Sequence, residues 1–206
     1  MTAWAQSLIR ISNYEVETLQ KRLAEISARK AEEGRYRQLA LTDPLTGLAN
    51  RMLFQDRFAQ AIKRARRGRG RLALFLLDLD KLKTVNDRFG HLVGDGALQE
   101  FARRLRTVVR DSDILARLGG DEFALVQSDL GAERGVEALA KRLLTVLAEP
   151  FAPTGEPFTL SASLGIAVYP EDGDSIARLT EHADRALYQA KNQGGARAAF
   201  FRYLGS

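Results

Sequence analysis

The chain contains no cysteine. That excludes disulfides and thiolate metal sites. It has two histidines, His91 and His182, too few for an all-histidine metal centre. Sites built from carboxylate oxygens, which suit hard cations, stay open. No apolar run approaches the roughly 20 residues of a membrane span, and the N-terminus lacks the charged-then-apolar layout of a signal peptide. The sequence reads as a soluble, cytoplasmic piece with no membrane contact.

What is present is 206 residues, 45% of them hydrophobic. That is enough for one domain with its own core plus an extension. Lysine and arginine number 31 against 26 acids, a net charge of +5. A basic balance raises nucleic acid as a partner. The densest basic run, KRARRGRGR at 63–71, has no aromatic residue to stack on bases. It reads instead as the solvated end of a helix, where basic residues suit the dipole, and no nucleic-acid partner is expected.

Residues 1–41 have no proline and a single glycine, Gly34. Ile9, Ser12, Val16, Leu19, Leu23 and Ile26 fall in alternating steps of three and four, the seam of a coiled coil. The same register then meets Lys30, Glu33 and Arg37 before Ala40. The expectation is a parallel dimeric coiled coil over 1–41. Its weak second half would let it change register and transmit a signal. A chain that opens on such a helix reads as the output end of a longer sensor.

The globular domain is expected over 42–206. LTDPLTGLANR, 41–51, breaks the helical pattern: Asp43-Pro44 stops a helix, Gly47 permits a turn, and Asn50 can cap the next helix. Helices are predicted over 51–66, 81–88, 94–109, 132–149 and 175–193. Strands are predicted over 71–78, 113–118, 122–128, 158–170 and 197–203. The pair around Gly119-Gly120 is a hairpin, so the fold is α/β of the α+β kind with at least part of its sheet antiparallel.

The chemistry concentrates in two stretches. In LDLDKLKTVNDRFGHLVGD, 77–95, a strand ends at Asp78 and a helix begins within DKLK. Backbone N–H groups at a helix start favour an anion such as phosphate, and Lys83 adds charge. Asp78 in that place repels phosphate unless a cation stands between them. In RLGGDEFAL, 117–125, Gly119 and Gly120 allow positive φ and leave room for a ligand. Asp121 and Glu122 come next, at the tip. If the two strands are neighbours, Asp78 and Asp121 can share magnesium, which takes few protein carboxylates and fills its shell with water and phosphate oxygens. The pattern suits metal-assisted phosphoryl or nucleotidyl transfer.

GGDEF is preceded by DPLTGLANR and DLDKLKTVNDRFGHLVGD and followed by SASLGIAVYPEDG and ADRALYQAK. In this order and spacing, over 41–200, the chain resembles the GGDEF family of diguanylate cyclases. The resemblance implies a nucleotidyl-cyclase or polymerase-palm fold, a central, mostly antiparallel sheet flanked by helices. It implies condensation of two GTP into cyclic di-GMP with release of two pyrophosphates. Asp78 matches the family's first metal ligand, with the Leu79 carbonyl beside it. Asp121 matches the second, and Glu122 its acidic neighbour, a ligand or base. The implied cofactor is Mg2+, with Mn2+ as an alternative, at two ions per site. Asn86 and Asp95 match the guanine readers: aspartate can accept from N1–H and the amino group, and asparagine can both donate and accept. The backbone at Lys81 and Leu82, with Lys83, matches the phosphate cradle. Lys191 matches a phosphate-binding lysine, and Gly119 and Gly120 admit the nucleotide. Arg110 and Asp113, in RDSD, match an inhibitory site for the product, where arginine grips phosphate and stacks on guanine.

Two departures stand out. Leu82 replaces the family's usual phenylalanine, apolar for apolar. In KNQGGAR, Gly195 and Ala196 stand where the family usually has arginine and then asparagine or aspartate. The implied effect is weaker triphosphate binding with activity retained. One site holds one GTP and the reaction needs two, so a homodimer held by the coiled coil is expected. The alternative is a non-catalytic receptor for GTP or cyclic di-GMP that signals through the same coil.

Overall fold

A computed structural model of the chain describes residues 21–23, 25–29, 40–128, 130, 134–152 and 157–204. The chain divides into two compact units, Met1–Leu41 and Thr42–Ser206. In the first, residues 21–23 and 25–29 are helical, with Leu23 and Ile26 exposed. The rest of the expected coiled-coil seam before Ala40 lies outside the described residues.

The second unit is built on five strands: β1 (Leu72–Asp80), β2 (Ile114–Gly119), β3 (Glu122–Gln127), β4 (Ser161–Tyr169) and β5 (Ala198–Phe200). They lie in the order β2-β3-β1-β4-β5. Every neighbouring pair is antiparallel except β4 and β5. The helices are α1 (Arg51–Gly68), α2 (Leu82–Phe89), α3 (His91–Val108), α4 (Arg134–Leu147) and α5 (Ile176–Asn192). Parallel neighbours need a crossover, and α5 supplies it between β4 and β5. The result is a mixed, mostly antiparallel sheet flanked by helices.

β1 is the middle strand and is apolar almost throughout, because helices cover both of its faces. Its period-two alternation divides the core. Ala73, Phe75, Leu77 and Leu79 pack with α2, α3 and α4, including Phe101, Leu105 and Leu143. Leu72, Leu74 and Leu76 pack with α1 and α5, including Phe58, Ile62 and Leu179. The same alternation carries Asp78 and Asp80 to the α1/α5 face. There α5 lies unusually close to the sheet. Ala183, Ala186 and Ala190 form its buried stripe. Opposite them, a Cβ on Gly165 would overlap the Ala183 carbonyl oxygen. Small residues on both sides bring the end of α5 down onto the end of β1.

The structure differs from the sequence expectations mainly at element ends. α3 starts at His91 rather than at 94, so Gly94 lies inside it. β5 is three residues long and gives way to a 3-10 turn over Phe201–Tyr203. The predicted strand over 158–170 begins at Ser161, with Phe158 instead bridged to Phe151.

Candidate active site

β1 lies between β3 and β4, and the registers place Asp78 opposite Glu122 on one side and Ser163 on the other. The Gly119-Gly120 turn, with φ of 141° and 54°, closes the hairpin at this end of the sheet. The Leu79 N–H donates to the Asp121 carbonyl at 3.3 Å. Acids from two neighbouring strands thus meet where β1 ends.

Asp78 is buried, and burial pushes its carboxyl above the ordinary 3.8; the Asp121 and Asp80 charges push the same way. Lys191 opposes them, its Nζ standing 2.6 Å from Asp78 Oδ2. Like charges beside a buried carboxylate favour its neutral form, and a nearby cation restores the charged one. Among the described residues, no three acidic or histidine side chains form a preformed metal cage. Two carboxylates and a neighbouring backbone carbonyl are nonetheless a fitting share for magnesium, which completes its shell from water and phosphate. Glu122 is exposed and ion-paired with Arg51 at 3.3 Å. The Arg51 Nε also donates to the Leu118 carbonyl at 3.2 Å.

After β1 the chain turns sharply. Lys81 takes a left-handed conformation, φ 63°, at the N-cap of α2. Such strain in a non-glycine residue gathers at functional sites. The first helical bonds run from Thr84 and Val85 to the Lys81 carbonyl. The N–H groups of Leu82 and Lys83 precede them at the helix opening. Lys81 and Lys83 are exposed and Leu82 is buried. Asn86 is half-buried on α2, and Asp95 is exposed on α3 just past its first turn.

Asp80 has no expected role from the sequence, yet it is the best-connected acid here. It accepts from Ser161 Oγ at 2.7 Å, Ser163 Oγ at 2.8 Å and the Ala196 N–H at 3.1 Å. It thereby ties the turn after α5 to the end of β1. Within that turn Gly195 has φ 71°, and a Cβ there would lie 3.0 Å from Asp80 Oδ2. Arg197 does not reach toward the acids; it bonds the Gly195 carbonyl and Gln193 Oε1, each at 3.2 Å. The period-two pattern D-x-D and S-x-S could have signalled this network.

Two further residues hold the hairpin. Arg117 donates to both oxygens of Asp43 at 3.2 Å and to the Gly120 carbonyl at 2.7 Å. Asp43 in turn accepts from the Thr46 N–H and hydroxyl, at 2.8 and 2.6 Å. The DPLTG loop is therefore a bracket for the glycine turn.

Arg110 and Asp113 lie away from these acids, at the turn before β2. The Asp113 carboxylate accepts from the Arg110 N–H at 3.0 Å through Oδ2, while its buried Oδ1 has no hydrogen-bond partner. The exposed Arg110 lines a groove of about 430 Å³ together with Asp113, Arg57 and Arg106.

The family model for the GGDEF domain of diguanylate cyclases matches residues 40–197. The chain belongs to this family. MucR of Pseudomonas aeruginosa, a bifunctional diguanylate cyclase and cyclic di-GMP phosphodiesterase, is 46% identical over 80% of this chain and 24% of its own length. The diguanylate cyclase TpbB of the same organism is 37% identical over 87% of this chain and 40% of its own length. This GGDEF chain thus spans less than half of either relative. The solved GGDEF domain of TpbB matches with a TM-score of 0.75 and 38% identity, covering 77% of this chain and 93% of that one. The coiled coil and GGDEF domain of DgcB from Caulobacter crescentus, solved with cyclic di-GMP, matches with a TM-score of 0.78 and 28% identity, over 88% and 96%. Among the described residues, no helix is long and apolar enough to cross a membrane.

Proposed function

We propose that this GGDEF domain is an active diguanylate cyclase, converting two GTP into cyclic di-GMP and two pyrophosphates. The observation that carries the reading is the meeting of Asp78 with the Asp121–Glu122 hairpin tip, with Lys191 2.6 Å from Asp78. In each of two steps a 3′-oxygen attacks an α-phosphorus. The bond to the β-phosphate oxygen breaks, and pyrophosphate leaves with the electron pair. The hydroxyl proton passes to Glu122 or to solvent. Asn86 and Asp95 hold the guanine edge. The α2 opening at Lys81, Leu82 and Lys83 holds phosphate oxygens, as does Lys191. Magnesium or manganese on Asp78, the Leu79 carbonyl, Asp121 and Glu122, two ions per site, would supply the charge that activates the hydroxyl and steadies the leaving group.

Because one site holds one GTP, the working unit is a two-fold homodimer with facing sites. The N-terminal helix is its coiled coil, raising the effective concentration of the partner domain and relaying an upstream sensor. The setting is the cytoplasm, where GTP is supplied. The groove at Arg110 and Asp113 suits feedback inhibition. Arg57, Arg106 and Arg110 line it, a charge that suits a dianionic dinucleotide, and Asp113 stands among them.

The test is incubation of the chain with GTP and Mg2+, followed by chromatographic separation of nucleotides. Cyclic di-GMP from the parent and none from Asp78→Asn is expected. The receptor reading is favoured by one observation, the missing charge at Gly195. A folded parent that binds GTP without turning it over would select that reading.

A further inference from the structure

Gly94 sits in the first turns of α3 and is buried. Its place there is unfavourable by propensity, since only proline is a worse helix former than glycine. No unusual backbone dihedral explains it, because helical φ and ψ are open to any residue. The explanation is contact. A Cβ at position 94 would overlap Asn86 Oδ1 and lie 2.9 Å from Asn86 Cγ. The Asn86 amide rests on the bare backbone of α3, in space that any other side chain would fill. It rests one residue from Asp95.

We infer that Gly94 is a positioning residue for base recognition. Its missing side chain seats the Asn86 amide beside Asp95, so that α2 and α3 present two polar groups to one guanine edge. This inference rests on the reading of Asn86 as a guanine contact. The energetics favour a local effect. The atom in the way is the end of a flexible side chain, so a methyl group at 94 displaces the amide rather than the helix. Alanine also improves helix propensity, which works against any loss of stability. Base recognition and stability are therefore expected to separate.

The experiment compares GTP and ATP affinity by calorimetry, together with Tm, for the parent chain, Gly94→Ala, Asn86→Ala and the double variant. Gly94→Ala is expected to lower GTP affinity about tenfold, to leave the weak ATP affinity unchanged, and to keep or raise Tm. Asn86→Ala is expected to lose a similar factor. The double variant is expected to be no weaker than Asn86→Ala, because the two changes remove one contact. If Asn86→Ala loses GTP affinity but Gly94→Ala does not, the positioning role is wrong and guanine reading by Asn86 stands. If Asn86→Ala binds GTP as the parent does, the reading beneath the proposal fails. Losses that multiply in the double variant contradict the proposal. Should Gly94→Ala fail to fold, the double variant decides: recovery of folding there supports the clash with Asn86, and failure in both overturns it.

Discussion

Lys191 Nζ lies 2.6 Å from Asp78 Oδ2, so the last turn of α5 is ion-paired to the end of the central strand. The pair exists because Gly165 and the alanine stripe of α5 let that helix descend onto β4. Burial, Asp121 and Asp80 raise the Asp78 carboxyl, and Lys191 lowers it. A raised carboxyl binds its proton more tightly when folded. Its ionisation therefore costs stability as pH rises from 3.8 through the raised value, and a site needing the carboxylate works only above that value. Lys191→Met removes the lowering partner. The acid limb of the kcat/KM profile should move to higher pH, and an unmoved limb would contradict the coupling.

Asp43 shows the opposite sign. Burial works against its charge, but the Thr46 hydroxyl and N–H, with Arg117, hold it below 3.8. Its contribution to stability is present above 3.8 and is lost as pH falls through the lowered value. Asp43→Asn should cost about 1.5–3 kcal/mol at neutral pH, because it removes the charged acceptor of the half-buried Arg117 and of Thr46. The variant's stability should change less than the parent's on acidification below pH 3.8. Denaturant unfolding across that range is the check. Equal acid sensitivity in both chains would place the loss elsewhere.

Position 195 couples charge to backbone strain. Arginine there would take a left-handed φ of 71° with its Cβ 3.0 Å from Asp80 Oδ2. That conformation costs about 1–2 kcal/mol for a residue with a Cβ. Gly195→Arg should therefore lower Tm while raising GTP affinity through an added phosphate contact. The two readouts must be taken together. Unchanged affinity would show that the glycine costs the domain no phosphate grip.

The proposed inhibitory site is spatially separate from the candidate active site, since Arg110 stands on the turn before β2 while the acids lie at the opposite end of that strand. Arg110→Ala should weaken cyclic di-GMP binding at least tenfold and lift inhibition by added product. The initial rate should stay unchanged. Inhibition that persists in the variant would remove the second site.

Much of this architecture is legible in the sequence because β1 and the α5 stripe are strongly patterned. Alternation in LALFLLD places Asp78 on one face with Leu72, Leu74 and Leu76, and the GGDE tip announces a hairpin with acids beyond it; the strand expected over 71–78 stops short of Asp80, which the observed strand carries to that same face. The pairing of β3 with β1 is not legible, since nothing local in either strand specifies its neighbour. The roles of Arg117 and Gly94 are also hidden. Each acts on a residue distant in sequence or on another helix, and each depends on a register or an interhelical approach that only the folded chain provides. The α3 start shows the same limit: glycines at 94 and 96 depress helix propensity, yet the helix begins at His91, with Gly94 close against Asn86 of α2.

The most direct measurement is the stoichiometry of the reaction. Cyclic di-GMP and pyrophosphate are quantified together from GTP and Mg2+, for the parent and for Asp121→Ala. The account predicts two pyrophosphates per cyclic di-GMP from the parent and neither product from a folded Asp121→Ala. A parent that is folded and dimeric but makes no cyclic di-GMP, or an Asp121→Ala chain that keeps its rate, would contradict it.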